Sequence, residues 1–393
     1  MTPEPGGTLS PFQRLTELLD PITPAVDPII MTIGEPRHPF PAWVKDILAE
    51  HVDGFGRYPQ IRGLPEFRSA IYAWLSNRYP GSADLLSTDQ ILPLNGSRDG
   101  LFLLSVGARD YLGKENPVLL MPNPHYQTYG AGARAAGLEP YLLPASDDNF
   151  GPDLNQVPEQ ILARAVACVV ASPIYPQGTL ISTAQWRALI SAARRHQFIL
   201  CADECYSELY RDTPPPGLLD QLAGDSVAQM LVINSLSKRS SIPGLRCGFA
   251  AGDGDFIAAW ARFRNQAAPQ VPDPLQHVAI ALYQDEVHVA ENRRLYNQKF
   301  ELAEQLLSAH FTNITPPAGF FLWLDVSRFG DAETVVKALW QHAGLKTVPG
   351  GYLAQPDAQG HNPAEAYIRL SLVDDLATTE TALTRLNTTL TAL

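Results

Sequence analysis

The segment FILCADECY, residues 198–206, decides the fold that we expect for this chain. Five apolar residues are followed by the acidic pair Asp203 and Glu204 and then by Tyr206. A short apolar run that ends in polar residues is typical of a buried strand in a parallel sheet. An aspartate that closes such a strand is costly to bury unless it meets a cation, which makes Asp203 a candidate functional residue.

On both sides of this segment, similar apolar runs alternate with helical patterns such as Gly100–Tyr111 and Thr183–His196. Strands that alternate with helices favour a mainly parallel sheet covered on both faces. The predicted fold class is therefore α/β, with a seven-stranded sheet in a large domain. The predicted strands are Gln90–Leu94, Val118–Met121, Pro140–Leu143, Ala167–Ala171, Phe198–Ala202, Leu231–Ser235 and Cys247–Ala251.

The two ends of the chain differ from this middle part. Residues 1–45 are rich in proline, and the last hundred residues mix helices and strands. The predicted domains are an N-terminal segment at 1–45 that joins the small domain, a large domain at 46–284, and an interdomain helix with a small α+β domain at 285–393.

Composition excludes several classes of protein. The 393 residues fit two or three domains of about 150 residues. The net charge of −12, without a basic stripe, argues against nucleic-acid and anionic-membrane partners. The apolar runs are too short to cross a bilayer, and Met1–Ser10 lacks the features of a signal peptide. We expect a cytoplasmic protein with four reduced cysteines.

Ligands of an open parallel sheet bind beyond the carboxyl ends of its strands. The residues that follow each predicted strand are therefore the candidates, and a parallel sheet brings them to one edge. They are Asn95–Arg98, Pro122–Tyr126, Ser172–Gly178, Asp203–Tyr206 and Ser235–Lys238.

Lys238 follows a buried strand and is flanked by serines. A lysine on a surface loop is the ordinary interpretation, and a lysine that bonds a cofactor aldehyde is the functional one. Arg246, eight residues on, is suited to clamp a phosphate with two hydrogen bonds. Asp203 would pair with a protonated pyridine nitrogen, and Tyr206 would bond a phenolic oxygen. A capping aspartate and a core tyrosine are the alternatives.

Two other predictions concern residues outside this set. The nine histidines are scattered along the chain, and we expect no metal site. The pair Asp285 and Glu286 is expected on a solvated helix face.

Asp203–x–x–Tyr206, Ser235–x–Ser237–Lys238 and Arg246 resemble the pyridoxal-phosphate signature of fold-type I aminotransferases of class I and II. The resemblance covers nearly the whole chain. Several stretches are more specifically similar to the proteobacterial N-succinyldiaminopimelate aminotransferases. They are Ile33–Pro39, Asn95–Arg98, Ser240–Arg246, Gln270–Pro272, Asp285–Val289, Pro349–Leu353 and Asn362–Pro363.

This resemblance implies a role for each matching residue. Lys238 bonds the cofactor, pyridoxal 5′-phosphate, and carries a proton, while Asp203 and Tyr206 hold its ring. Arg369 and the Gly34 backbone bind the substrate α-carboxylate. Apart from the resemblance, Arg37, Arg57 and Arg62 are either surface arginines or include the residue that binds a distal carboxylate, for which Arg37 is our candidate. The other implied cofactor-binding residues are Ser97, Arg98, Tyr126, Ser235, Arg246 and, from the other subunit of a homodimer with active sites at the interface, Tyr58.

One position departs from the family pattern. These enzymes usually have Asn-Pro-x-Gly after the fourth strand, and Pro176 and Gly178 place Tyr175 at the asparagine position. A phenol is bulkier than an amide and donates a single hydrogen bond. We therefore expect Tyr175 to replace the asparagine in part as a cofactor ligand, or to displace another group.

The resemblance implies a transaminase that moves an amino group between glutamate and N-succinyl-2-amino-6-oxopimelate, in lysine biosynthesis. Small-molecule amino acids and 2-oxo acids are then its partners. The alternatives are an aminotransferase for other amino acids, a C–S β-lyase on the same fold, or a non-catalytic protein that binds the cofactor.

Overall fold

The computed structural model describes residues 9–82, 84–146, 149–222, 224–357 and 359–393. The chain divides into two compact units. The large unit comprises Pro36–Arg294 and Pro317–Gly319, and the small unit comprises the N-terminal segment up to Glu35, Leu295–Pro316 and Phe320–Leu393. The predicted domain limits at 45/46 and 284/285 stay predictions.

The described residues form short strands and longer helices. The strands are β1 Ile29–Ile30, β2 Ile91–Leu94, β3 Val118–Met121, β4 Glu139–Leu142, β5 Ala165–Ala171, β6 Ile199–Asp203, β7 Met230–Ser235, β8 Gly248–Gly252, β9 Phe321–Asp325, β10 Leu345–Lys346, β11 Val348–Pro349 and β12 Tyr367–Ser371. The helices are α1 Pro11–Leu19, α2 Val44–Glu50, α3 Pro65–Arg78, α4 Ser97–Leu112, α5 Gln127–Ala135, α6 Glu159–Arg164, α7 Thr183–His196, α8 Leu236–Arg239, α9 Gly254–Ala267, α10 Asp273–Gln284, α11 Val287–Leu307, α12 Ala332–Ala343 and α13 Leu376–Ala392. Within the described ranges, none of these helices has the length and apolarity needed to cross a membrane.

The large unit is built on a seven-stranded sheet with the order β2-β8-β7-β6-β5-β3-β4. The pairs among β4, β3, β5, β6 and β7 are parallel, and β8 runs antiparallel to both of its neighbours. This confirms the predicted fold class and the predicted strands to within two residues. Because β8 is reversed, its first residues lie at the edge where the parallel strands end.

Both faces of this sheet are buried. On β5, Cys168 and Val170 belong to the apolar cluster on one face, and Ala167 and Val169 belong to the cluster on the other. This alternation follows from the two-residue period of a strand. Helices therefore cover both faces, and the open part of the sheet is its edge.

All four cysteines of the chain lie in the large unit, and all are free and buried. Cys168 is on β5 and Cys201 on β6, while Cys205 follows β6 and Cys247 precedes β8. Burial raises the pKa of each thiol. The thiols are thus protonated and shielded in the folded unit.

The small unit contains the antiparallel sheet β11-β12-β9 and the parallel pair of β1 with β10. Its core is a separate apolar cluster that includes Leu15 and Leu19 of α1, Leu339 of α12 and Leu386 of α13. The pairing of β1 with β10 attaches the N-terminal segment to this unit.

Candidate active site

Five polar segments lie at one edge of the large sheet. They follow β2, β3, β5, β6 and β7, and the start of the reversed strand β8 adds Arg246. The strand ends thus carry most of the residues that the sequence singles out.

Asp203 is the last residue of β6 and is 7% exposed. Its Oδ2 accepts a hydrogen bond from the Tyr129 hydroxyl at 2.7 Å, and its Oδ1 accepts one from the Cys205 backbone N–H at 3.3 Å. Burial raises the pKa of Asp203, while these bonds and the charge of Lys238 act in the opposite direction. A cation placed against this carboxylate would favour its ionised form.

Lys238 lies in the short helix α8, directly after β7. Ser235 caps this helix, since its Oγ accepts from the Ser237 N–H at 3.2 Å. The Lys238 Nζ lies 5.7 Å from the centre of the Tyr206 ring. The structure therefore brings Lys238, Ser235 and Tyr206 together at the edge, as the sequence predicts.

Tyrosine rings line the same edge. Tyr175 packs edge-on against Tyr126, with ring centres 6.1 Å apart, and stacks at 28° on Tyr206, 6.4 Å away. At the far end of the row the Nε of Arg98 donates to the Tyr126 hydroxyl at 2.7 Å. Tyr175 thus contacts two residues that were predicted to bind the cofactor.

The start of α4 and Arg246 form an anion cradle. Gly96, which precedes α4, has a φ of +75°, and a side chain there would place its Cβ 2.8 Å from the Cζ of Arg246. Glycine at this position lets the guanidinium lie against the helix start. Arg246 Nη1 donates to the Pro243 carbonyl at 2.9 Å, and Nη2 to the Asn95 carbonyl at 3.3 Å. A helix N-terminus and a fixed guanidinium both favour a phosphate.

Ser97 connects this cradle to Asp203. The Cys205 thiol lies in hydrogen-bond contact with both the Ser97 and the Asp203 side chains. Cys205 is 8% exposed, so the contact is shielded from solvent. The first turn of α4 and the end of β6 are thereby held in one arrangement.

Arg369 and Gly34 meet in the small unit. Arg369, on β12, is 2% exposed, and its Nη2 donates to the Thr32 carbonyl. Its Cζ lies 4.5 Å from the centre of the Phe321 ring, and a Cβ on Gly34 would lie 2.7 Å from the Cζ of the same phenylalanine. Position 34 therefore has no room for a side chain, and its backbone runs close to the arginine strand.

Two other predicted residues are exposed. The Tyr58 side chain is 97% exposed, so its predicted role rests on a second subunit. Arg37 is also exposed, and the ring of its neighbour His38 is hydrogen-bonded to Asn292 of α11.

Tyr129 and Asn292 contact predicted site residues but were not themselves predicted from the sequence. Tyr129 lies three residues after Tyr126, one helical turn along α5, and this spacing was an available signal. Asn292 lies on α11, and its Nδ2 donates to the carbonyls of Lys238 and Arg239 at 3.0 and 3.1 Å. No local pattern pointed to Asn292, because its partners are more than fifty residues away in the chain.

Comparison with known proteins decides the family. The family described as "Aminotransferase class I and II" matches residues 26–386. The chain belongs to the class I and II aminotransferases. This aminotransferase is 30% identical over 368 residues to the LL-diaminopimelate aminotransferase of Moorella thermoacetica, covering 92% of this chain and 90% of that protein. It is 29% identical over 361 residues to LL-diaminopimelate aminotransferase 2 of Trichormus variabilis, covering 89% and 88%.

Solved structures agree with this assignment. An aminotransferase from Neisseria meningitidis matches with a TM-score of 0.92 and 36% identity, over 96% of this chain and 97% of that one. A probable N-succinyldiaminopimelate aminotransferase from Thermus thermophilus shares the fold, with a TM-score of 0.82 and 23% identity over 97% and 100%. The protein is thus a transaminase of fold type I, and its cofactor is pyridoxal phosphate.

The residues at the sheet edge fit this cofactor. The glycine at position 96 and the guanidinium of Arg246 leave a cradle for a phosphate at the start of α4. The buried Asp203 carboxylate has neutral hydrogen-bond partners and suits a pyridinium cation. Lys238 supplies an amine beside Tyr206.

Proposed function

We propose that Lys238 holds the cofactor and carries the proton of the reaction. When bound, pyridoxal phosphate supplies an electron sink for the bonds at the substrate Cα. With its bond to the cofactor released, the Lys238 amine would accept the proton that leaves the substrate Cα and would later give up that proton to complete the amino transfer. The rings of Tyr126, Tyr175 and Tyr206 pack against one another beside this amine.

The remaining edge residues fix the orientation of the cofactor. Asp203 keeps the pyridine nitrogen protonated, and Tyr206 donates to the phenolic oxygen. Tyr126 packs on the ring, and Tyr175 takes part of the role of the family's asparagine. Ser97, Arg98, Ser235 and Arg246 hold the phosphate, which is supported by the cradle at the start of α4.

In the small unit, Arg369 binds the α-carboxylate of the substrate. A guanidinium offers two parallel donors that match a carboxylate. Its bond to the Thr32 carbonyl fixes its plane. The Gly34 backbone would give the same carboxylate a further polar contact.

For the substrate, we propose glutamate as donor and N-succinyl-2-amino-6-oxopimelate as acceptor, which places the enzyme in lysine biosynthesis. The main support for this class of substrate is the identity of 29–30% to LL-diaminopimelate aminotransferases over about nine tenths of the chain. The stretch Ile33–Pro39 supports the succinylated form. Within it, the exposed Arg37 is our candidate for the distal carboxylate.

Unacylated LL-diaminopimelate is the second candidate, because the relatives just described are aminotransferases for this compound. The two candidates differ in the acyl chain, which would supply binding energy remote from the reacting carbon.

The test compares kcat/KM for the succinylated and the unacylated substrates, with glutamate or 2-oxoglutarate as co-substrate. We expect the succinylated substrate to be preferred, with plain aromatic keto acids much poorer. A preference for LL-diaminopimelate would select the second candidate. Elimination from a cysteine conjugate without amino transfer would indicate a C–S β-lyase, and binding without turnover a non-catalytic protein.

We also propose that the active enzyme is a cytoplasmic homodimer in which Tyr58 reaches the phosphate site of the other subunit. The support is an exposed apolar segment, since Val52, Phe55 and Tyr58 are 50%, 51% and 97% exposed. Inactive Lys238→Ala and Tyr58→Ala chains should regain activity when mixed subunits form. If mixing restores nothing, Tyr58 acts within its own chain or not at all.

A further inference from the structure

The helix that carries Lys238 has an unusual end. With only four residues, α8 satisfies few of its own carbonyls, and the last ones need outside donors. Asn292, 6% exposed on α11, gives both amide hydrogens to it, at 3.0 Å to the Lys238 carbonyl and 3.1 Å to that of Arg239. One side chain thus fixes the backbone of the lysine.

The same amide holds a second segment. The Asn292 Oδ1 lies 2.7 Å from the His38 Nδ1, so His38 carries its proton on Nδ1 and donates it. The carbonyl of His38 accepts a bond from the Ser241 hydroxyl at 2.6 Å. Ser241, three residues after the lysine, is 4% exposed and has a φ of +50°. His38 is therefore bonded to Asn292 through its ring and to Ser241 through its backbone carbonyl.

We propose that Asn292 is a positioning residue that joins Lys238 to the loop at residues 36–39. Through its Nδ2 it sets the place of the lysine backbone, and through its Oδ1 it sets the loop that presents Arg37. Binding of a long dicarboxylate at Arg37 and the placement of the reactive amine then depend on one side chain. This inference rests on the roles proposed above for Lys238 and Arg37.

The two halves of the amide can be separated by substitution. Asn292→Ala removes both contacts. Asn292→Asp keeps an acceptor for His38 but loses the donors to the two carbonyls. His38→Ala removes the loop contact and leaves the donors to α8 in place.

A matched control exists in the small unit. There the Asn387 Oδ1 lies 2.8 Å from the His310 Nε2, in a partly buried pair. Asn387→Ala breaks an Asn–His contact of the same kind that involves neither the lysine segment nor the loop.

The first measurement is hydrogen–deuterium exchange of the cofactor-free protein. In Asn292→Ala we expect faster exchange in both segments. The increase should be about fivefold at the amides of Arg37, His38 and Phe40, where one hydrogen bond is lost, and larger at residues 238–241, where two are lost. Asn292→Asp should affect the first segment more, and His38→Ala the second. Asn387→Ala should leave both unchanged.

The second measurement uses the loaded enzyme. In Asn292→Ala and Asn292→Asp we expect a shifted pH midpoint of the visible absorption band and a kcat about tenfold lower with glutamate. In His38→Ala, kcat with glutamate should stay near the native value while KM for the long dicarboxylate rises. A role that only stabilises the fold would lower the yield of active protein and move neither the midpoint nor the kcat-to-KM pattern.

Borohydride labelling separates the role of Lys238 from that of Asn292. A label on another lysine would overturn the role of Lys238 itself. If Lys238 is labelled in every variant, but the midpoint and kcat of Asn292→Ala match those of the control, the positioning role of Asn292 is wrong.

Discussion

The sheet edge of the large unit and strand β12 of the small unit carry their predicted site residues in different ways. At the edge, Asp203 ends β6 and Lys238 follows β7, where the topology brings many segments together. On β12, Arg369 lies within an antiparallel strand, opposite Trp323, and is 2% exposed. The site residues at the edge can be predicted from the order of the strands. Arg369, in contrast, is recognisable only from its family motif and its packing.

The two regions would therefore have different roles. The edge would hold the cofactor and move the proton, and the β12 arginine would bind substrate. Each can therefore be broken while the other is retained.

The largest effect is expected for Lys238→Ala, which removes both nucleophile and proton carrier. We expect turnover to fall by about 10³-fold or more. Cofactor binding, measured by fluorescence titration, should survive through Asp203 and Arg246. A variant that keeps most of its activity would move the chemistry to another residue.

A smaller effect is expected for Arg369→Lys, because an ammonium replaces a two-pronged donor with a point charge. The loss of a charge-assisted hydrogen bond predicts kcat/KM for both substrates to fall by about 10- to 100-fold. The absorption spectrum of the bound cofactor should not change. Unaltered binding of amino acid and keto acid would contradict the assignment.

Tyr129→Phe tests the contact between Tyr129 and Asp203. It removes the 2.7 Å hydrogen bond to Asp203, so the pKa of Asp203 should rise further. One lost hydrogen bond predicts cofactor affinity to fall by about fivefold. Tyr111→Phe, which changes a tyrosine 40% exposed on α4, is the control and should leave the affinity unchanged.

Glu204→Gln should leave turnover unaltered and change only stability. Glu204, beside Asp203, is 1% exposed and accepts from the Tyr79 hydroxyl at 2.6 Å. Burial raises its pKa from 4.5 to about 7, so the folded state keeps a proton that the unfolded state releases. The stability contributed by this group is therefore present below about pH 4.5 and lost as pH rises to about 7.

Urea unfolding of the cofactor-free native protein and the variant at pH 5 and pH 8 measures this effect. The shift predicts a loss of about 3 kcal/mol in the native protein across this range that the variant does not share. Equal pH slopes in the two proteins would show that Glu204 is ionised throughout.

The sequence was a good guide where a pattern is local. The strand β6 was predicted at 198–202 and lies at Ile199–Asp203, and helix α7 lies at the predicted Thr183–His196. Helix α13 gave a weak signal because its threonines are poor helix formers, and burial of Leu383 and Leu386 decides its structure. Strands of two residues, such as β1, are too short to show any period.

The parts of the site that were not predicted depend on partners distant in sequence. Glu286 was expected on a solvated helix face. Its side chain is 57% exposed, as expected, but it lies between α10 and α11 and its carboxylate also has two partners. It accepts bonds from Trp74 at 3.0 Å and from the buried Arg239 at 2.5 Å, next to the lysine. Neither partner is recognisable from the residues around Glu286, because the contacts form only when α3 and α8 pack against the segment between α10 and α11.

The buried thiols give the molecule a built-in reporter. Because every cysteine lies in the large unit and is protonated and covered, a thiol reagent should modify the folded protein slowly, at a rate set by opening of that unit. The small unit contributes no thiol to the signal. Modification of Cys205, which lies between Ser97 and Asp203, would report opening of the sheet edge. Modification of Cys168, within β5, would report opening of the sheet interior.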